Sequence, residues 1–403
     1  MKCIFLLADG MGDWPVESLG GKTPLEAAHT PHMDAMAASG VVGLCRSIPQ
    51  GMPPGSDVAN MSLLGFDPAR YHTGRGPIEA AAMGLVTWPD DLIFRLNLVT
   101  VSEFSDAGVM RDYSAGHIDT DIAHRIVAGL SRTCAGIDMS VYPGVQYRHI
   151  LVLKAGAETR GVKSFEASMA VRPPHDITDK PIAEDLALFR KSPILWEFMT
   201  KAATVLAVTN HGSRANAVWP WGQGGTLSLP PFEEKYGLRG AVVSAVDLVK
   251  GLGRAAGMEV VDVPGATGLL DTNYAGKVAA ALDFLTRGDF VFLHVEAPDE
   301  CGHGGQAADK VEAVTRFDRL VVGPLREALA GTDTIFLTAC DHFTPIAVKT
   351  HTTDPVPFVL WREGLSPQPA PAFTEALAAG TGLVVEQGFD LLDFALDRAG
   401  RRA

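Results

Sequence analysis

The stretch KCIFLLADGMGD, residues 2–13, runs through six apolar residues and breaks at Asp9 into a turn with glycines at 10 and 12 and a second acid at 13. Cys3 to Ala8, unrelieved by any polar side chain, reads as a strand buried on both faces. An acid at the end of such a strand is ordinarily a turn former or helix cap. Two later stretches repeat the arrangement: DFVFLHVEAPD (289–299) and DTIFLTACD (333–341) are also apolar runs that end in aspartate. Between them AADKVEAVTRFDRLVVGPLREALAG (307–331) carries apolar residues at helical spacing. Strand, helix and strand in that order predict a parallel sheet in an α/β domain. TPHMDAMAASG (30–40) adds a helix entered through Thr-Pro and stopped by Gly40. Three strands then deliver Asp9, Asp299 and Asp341 to the C-terminal edge, where open α/β sheets gather their ligands.

With 403 residues the chain has room for two domains, and 47% apolar with 20% charged residues is ordinary globular composition. A net charge of −13 disfavours nucleic acid and anionic membranes as partners. It leaves an anionic small substrate open, because a local cation inverts the field of a site. No apolar run is long enough to span a bilayer, and the N-terminal stretch is too short and too soon acidic for a signal peptide. Five scattered cysteines show no disulfide framework and no CxxC spacing, which points to a reduced, cytoplasmic protein. Nothing in the sequence specifies an oligomeric state.

The middle of the chain changes character. From LIFRLNLVTVSEF (92–104) through YRHILVLKAG (147–156) to PPHDITDKP (173–181) it alternates and is rich in turns, with one clear helix at DTDIAHRIVAGLS (119–131). This predicts a smaller α+β insertion over 86–185 between two parts of the sheet domain, 1–85 and 186–403. GLGRAAG (251–257) has the wrong spacing for a dinucleotide loop and reads as a helix C-terminus.

Histidines sharpen the acid pattern. HVEAPDECGHGG (294–305) puts His303 four residues after Asp299, read as a glycine-rich turn, and ACDHFTPIAVKTH (339–351) puts His342 beside Asp341 with His351 nine residues on. Three Asp and three His suit Mn²⁺, Zn²⁺, Mg²⁺ or iron. Converging on one sheet edge they would repel and desolvate one another unless cations neutralised them, so a two-metal site is expected. In PQGMPPGSDVANMSLLGFD (49–67) Ser56 lies on a Pro-Pro-Gly turn just before a helix. Two readings stand: an N-cap, or a nucleophile whose proton a nearby metal helps to remove and which attacks phosphorus.

In order along the chain, ADGMGD, GKTPLEAAHTP, PPGSDVANMSLLGFDP, GRGPIEAAAMG, YRHILV, PPHDI, VEAPDECGHGG and CDHFTP…KTHTTDPVP resemble the archaeal-type cofactor-independent phosphoglycerate mutases of the alkaline phosphatase superfamily. The resemblance runs nearly end to end. It implies an alkaline-phosphatase-like α/β sheet domain flanked by helices, a smaller inserted α+β cap, two divalent metals, chiefly Mn²⁺ with Zn²⁺, Mg²⁺ or Co²⁺ as alternatives, and interconversion of 3- and 2-phosphoglycerate through a phosphoserine on Ser56. By the same resemblance Asp299, His303 and His351 hold one metal, and Asp9, Asp341, His342 and the Ser56 oxygen hold the other. Substrate contacts fall to Arg75, Arg148, Arg214 and Lys277 as cations for carboxylate or phosphate, and to His117 and Asp176. Trp219 and Trp221 read as packing.

Cys340, Phe343 and Thr352 stand where the family usually has glycine or serine-like residues, which bears on the acceptor more than on the metals. A branch proposed to phosphorylate homoserine is therefore the alternative, with a phosphomonoesterase and a non-catalytic metal protein further off. Cys301 and Cys340 lie beside the expected metals and read either as oxidisable thiols or as small buried apolar groups.

Overall fold

A computed structural model describes residues 1–134, 138–154 and 162–401. The strands are, in chain order, β1 (Lys2–Ala8), β2 (Val41–Cys45), β3 (Leu92–Val101), β4 (Met110–Asp112), β5 (Met139–Tyr142), β6 (Arg148–Leu153), β7 (Ala217–Gly225), β8 (Gly240–Val243), β9 (Glu259–Val261), β10 (Phe290–Val295), β11 (Thr334–Ala339), β12 (Val356–Trp361) and β13 (Val384–Val385). Contacts divide the chain into two units, Met1–His72 with Ser228–Ala403, and Thr73–Leu227.

The larger unit is built on an eight-stranded sheet of order β13-β2-β12-β11-β1-β10-β8-β9. β1 is parallel to both neighbours: Cys3 pairs with Phe290 on one side and with Ile335 on the other. Ile4, Phe5, Leu6 and Leu7 are fully buried. Burying a side chain of that size is worth about 1.5–3 kcal/mol, so this chain segment belongs in the middle of the sheet. The sheet is not wholly parallel as expected, since β12 runs antiparallel to β11 and β2. The three strands whose ends carry Asp9, Asp299 and Asp341 are adjacent, β11-β1-β10, and all parallel. The Pro31–Ser39 helix forms with Pro at its first turn and Gly40 after it. The Asp247–Ala255 helix ends at 251–257, with Gly257 at φ +70°.

The smaller unit is an antiparallel sheet centred on β3, which pairs with β4, β6 and β7, while β5 extends β6. Its boundaries lie outside the expected 86–185. β7 pairs with β3 over most of its length, and the Arg75–Ala82 helix contributes Ala80 to an apolar cluster with Ile93, Ile150 and Val152. On its other side β3 packs Phe94, Leu96 and Leu98 into a core with Ile126, Phe198 and Trp219. Burial on both faces encloses the polar Arg95, ion-paired with Glu79 at 2.9 Å, and Asn97, whose Oδ1 accepts the Trp221 indole N–H at 2.9 Å.

Candidate active site

Asp9 ends β1 and the chain turns at Gly10, whose φ of +60° favours glycine. A Cβ there would also lie 2.5 Å from Asp299 Oδ1 and 2.6 Å from Thr344 Oγ1. The turn is glycine because the Ala297–Gly304 helix and the segment after β11 press against it. Its second acid has a separate task. Asp13 pairs with Lys310 at 2.8 Å, both fully buried, and the same ammonium donates to the carbonyls of Gly12 (3.1 Å) and Thr344 (2.8 Å). Three segments far apart in sequence are thereby tied behind the site.

Asp299 and His303 do not sit on a turn. They occupy the Ala297–Gly304 helix, entered through Pro298, at i and i+4 on one face. His303 Nε2 lies 3.2 Å from Asp299 Oδ2, His351 Nε2 lies 3.5 Å from Asp299 Oδ1, and the two Nε2 atoms are 3.1 Å apart. His303 Nδ1 donates to the Lys349 carbonyl at 3.0 Å, which in the neutral ring leaves a lone pair on Nε2. The hydrogen bond to Asp299 raises His303 to about 9. Burial alone would raise Asp299, but hydrogen bonds from His303 and His351 outweigh it and hold that carboxyl well below its usual range.

Beside this group, His342 Nε2 faces Asp341 Oδ2 (3.3 Å), Asp9 Oδ1 (3.5 Å) and Ser56 Oγ (3.0 Å). Its Nδ1 meets Thr344 Oγ1 at 3.2 Å. Burial lowers the pKa of His342. Burial, and then the charges of Asp341 and Asp299, push Asp9 well above the carboxylate range. Asp341 accepts three protein hydrogen bonds: Oδ1 from the Gly10 and His342 N–H groups, and Oδ2 from Asn60 Nδ2, all at 2.9–3.0 Å. Asp9 Oδ1 is buried without a hydrogen-bond partner.

Among the described residues two groups have the geometry to hold cations, Asp299–His303–His351 and Asp9–Asp299–His342, each with donor atoms within 4.8 Å of one another. Asp299 takes part in both. The hard oxygen and borderline nitrogen donors, the converging Nε2 atoms and the orphaned Asp9 Oδ1 all fit two divalent metals.

Ser56 is the first residue of the Ser56–Leu63 helix. It is not the N-cap. That position is Gly55, and no side chain caps the helix. The hydroxyl instead points to His342, while the Ser56 carbonyl is held by Asn60 Nδ2 at 2.9 Å.

Lys277 is fully buried and donates to the His294 carbonyl at 2.8 Å. Arg75, His117, Arg148, Asp176 and Arg214 belong to the smaller unit. There Arg75 Nε lies 3.5 Å from Glu79, Arg148 lies over the Tyr147 ring, and His117 packs edge-on to Tyr113 and Tyr147. Asp176 and Arg214 are exposed. Trp219 and Trp221 are core residues of that unit. Phe343 lays its ring against Gly12, where a Cβ would come within 2.1 Å of it. Burial raises Cys301 to about 11 and Cys340 well above its usual value, which supports the reading as small apolar groups, and none of the five described cysteines forms a disulfide.

Sequence reasoning missed His294, Asn60 and Thr344, which hydrogen-bond members of the cluster, and Ser244 and Lys310, which sit one step behind it. The only signal for His294 is a lone polar residue inside the run FVFLHV.

The family model for 2,3-bisphosphoglycerate-independent phosphoglycerate mutase matches residues 37–211. The chain is 46% identical to the enzyme of that name from Methanothrix thermoacetophila, over 97% of this chain and 98% of that one. A solved protein from Pyrococcus horikoshii superposes with a TM-score of 0.81 at 30% identity, over 100% of this chain and 98% of the other. The cofactor-independent phosphoglycerate mutase of Thermoplasma acidophilum gives 0.66 at 27%, over 99% and 100%. Among the described residues no helix is long and apolar enough to cross a membrane.

Proposed function

The chain belongs to the 2,3-bisphosphoglycerate-independent phosphoglycerate mutase family, and from that premise we propose that it interconverts 3-phosphoglycerate and 2-phosphoglycerate through a phosphoserine on Ser56. The observation that carries the reading is the Ser56 hydroxyl, released from capping and 3.0 Å from His342 within the cluster of acids and histidines. Asp299, His303 and His351 would hold one cation, and Asp9, His342, Asp341 and the Ser56 oxygen the other, with Mn²⁺ the metal. When bound, the cations would neutralise phosphoryl oxygens and favour ionisation of the serine hydroxyl.

The chain's own residues do the rest. Asn60 fixes both the Ser56 carbonyl and the Asp341 carboxylate, so nucleophile and ligand keep one register. The N-terminus of the Ser56–Leu63 helix favours an anion on Ser56. Arg75, Arg148, Arg214 and Lys277 would neutralise the substrate's carboxylate and phosphate, and His117 and Asp176 would serve its hydroxyls. Cysteines without disulfides suit a reducing cytoplasm as the compartment.

The test is Ser56→Ala with Mn²⁺, assayed on 3-phosphoglycerate without 2,3-bisphosphoglycerate. Loss of activity by at least about 10³-fold, with Mn²⁺ binding largely retained, is expected when a covalent nucleophile is removed. A variant keeping more than a few per cent of activity overturns the phosphoserine. Wild-type transfer to homoserine or water, with no isomerisation, overturns the mutase.

A further inference from the structure

Ser244, His294 and Asp9 come from three neighbouring strands in the order β8-β10-β1: His294 lies within β10, and the other two just after the ends of β8 and β1. Ser244 Oγ lies 3.1 Å from His294 Nδ1, and His294 Nε2 lies 2.7 Å from Asp9 Oδ2. All three residues are buried, with His294 at 0% and Asp9 at 2% exposure. We propose that His294 is a positioning residue for metal binding: it occupies Asp9 Oδ2 and so presents Oδ1, the oxygen without a hydrogen-bond partner, to the cation.

The direction of the chain follows from its chemistry. A carboxylate that ligates a cation is ionised and can only accept, so His294 Nε2 must donate to Oδ2. Nδ1 is then the acceptor of a hydrogen bond from the Ser244 hydroxyl, while Ser244 Oγ accepts one from the Val246 N–H at 3.0 Å. With Asp9 ionised, the order of donors and acceptors can run only one way. Lys277, donating to the His294 carbonyl, fixes the backbone from the other side. A histidine serving only as core filling needs neither an ionised partner nor a fixed tautomer. One that orients a ligand needs both.

The proposal rests on reading Asp9 as a ligand, so the experiment tests that first. Mn²⁺ is titrated into metal-free wild-type protein and free Mn²⁺ is counted by its electron paramagnetic resonance signal. Wild type should bind two ions; if it binds none, the site itself is wrong. In His294→Leu one of the two sites should weaken by about 10–100-fold while the other stays within about threefold of wild type. His294→Gln, which keeps an N–H able to reach Oδ2, should recover most of that loss. If wild type binds two ions and His294→Leu also binds both as tightly, His294 does not position Asp9. The same conclusion follows if Gln is as impaired as Leu. Should His294→Leu fail to unfold cooperatively on heating, Ser244→Ala decides: weakening of the same single site supports the chain, and unchanged affinity at both sites overturns it.

Discussion

Behind Asp9, Glu375 accepts the Asp13 N–H at 3.3 Å and the Thr23 hydroxyl at 2.8 Å, and burial pushes its carboxyl from 4.5 up to about 7. A carboxyl with a raised folded pKa holds its proton more tightly in the fold. Its contribution to stability is complete below the unfolded value and disappears as pH rises through about 7. Glu375→Gln stays neutral throughout, so its melting temperature relative to wild type should climb between pH 5 and pH 8. Scanning both proteins at the two pH values checks this, and an equal difference at both would refute the assignment. At this scale the acids on strand ends were readable, because each follows an apolar run long enough to be recognised as a strand. His294 was not, since a single histidine in such a run looks the same whether it fills core or grips a carboxylate. Lys310 was not either. In a helix rich in charges it passes for a surface lysine, and only the fold shows it fully buried against Asp13.

Among elements, the Lys310 ammonium joins the turn after β1, the Ala307–Phe317 helix and the loop after β11. Lys310→Met leaves Asp13 charged and buried without its cation, and should cost about 3–5 kcal/mol in urea unfolding. Asp13→Asn keeps an acceptor for the Trp14 and Ile346 N–H groups. The double variant should therefore be less destabilised than the sum of the singles, and strict additivity would show that the pair does not act as one unit. Strand, helix and strand were legible as a parallel core from apolar runs and helical spacing. The antiparallel β12 was not, because a strand's direction is not written in its own residues. HVEAPDECGHGG misled for a physical reason. Its glycines suggest a turn, yet Gly302 is helical and small because a Cβ would lie 2.5 Å from the Thr344 carbonyl, while Gly305 ends the helix at φ +69°. Close packing accounts for Gly302 and the left-handed cap for Gly305.

Across the whole molecule, the first strand of the chain is the centre of its sheet, and its two partners come after the entire Thr73–Leu227 unit. Such long-range pairing makes ring closure slow compared with local structure. In ribosome-stalled chains ending before Phe290, the smaller unit should resist brief proteolysis while residues 2–8 remain cleavable. Protection of residues 2–8 in those chains would show that β1 finds another partner first. Because Asp9 follows β1 while Asp299, His303, Asp341, His342 and His351 all follow β10, a fragment that stops before Phe290 carries one strand-end acid and none of its neighbours in the cluster. Whatever cation such a cluster holds is thereby withheld from those fragments and kept for chains in which the distant strands have met.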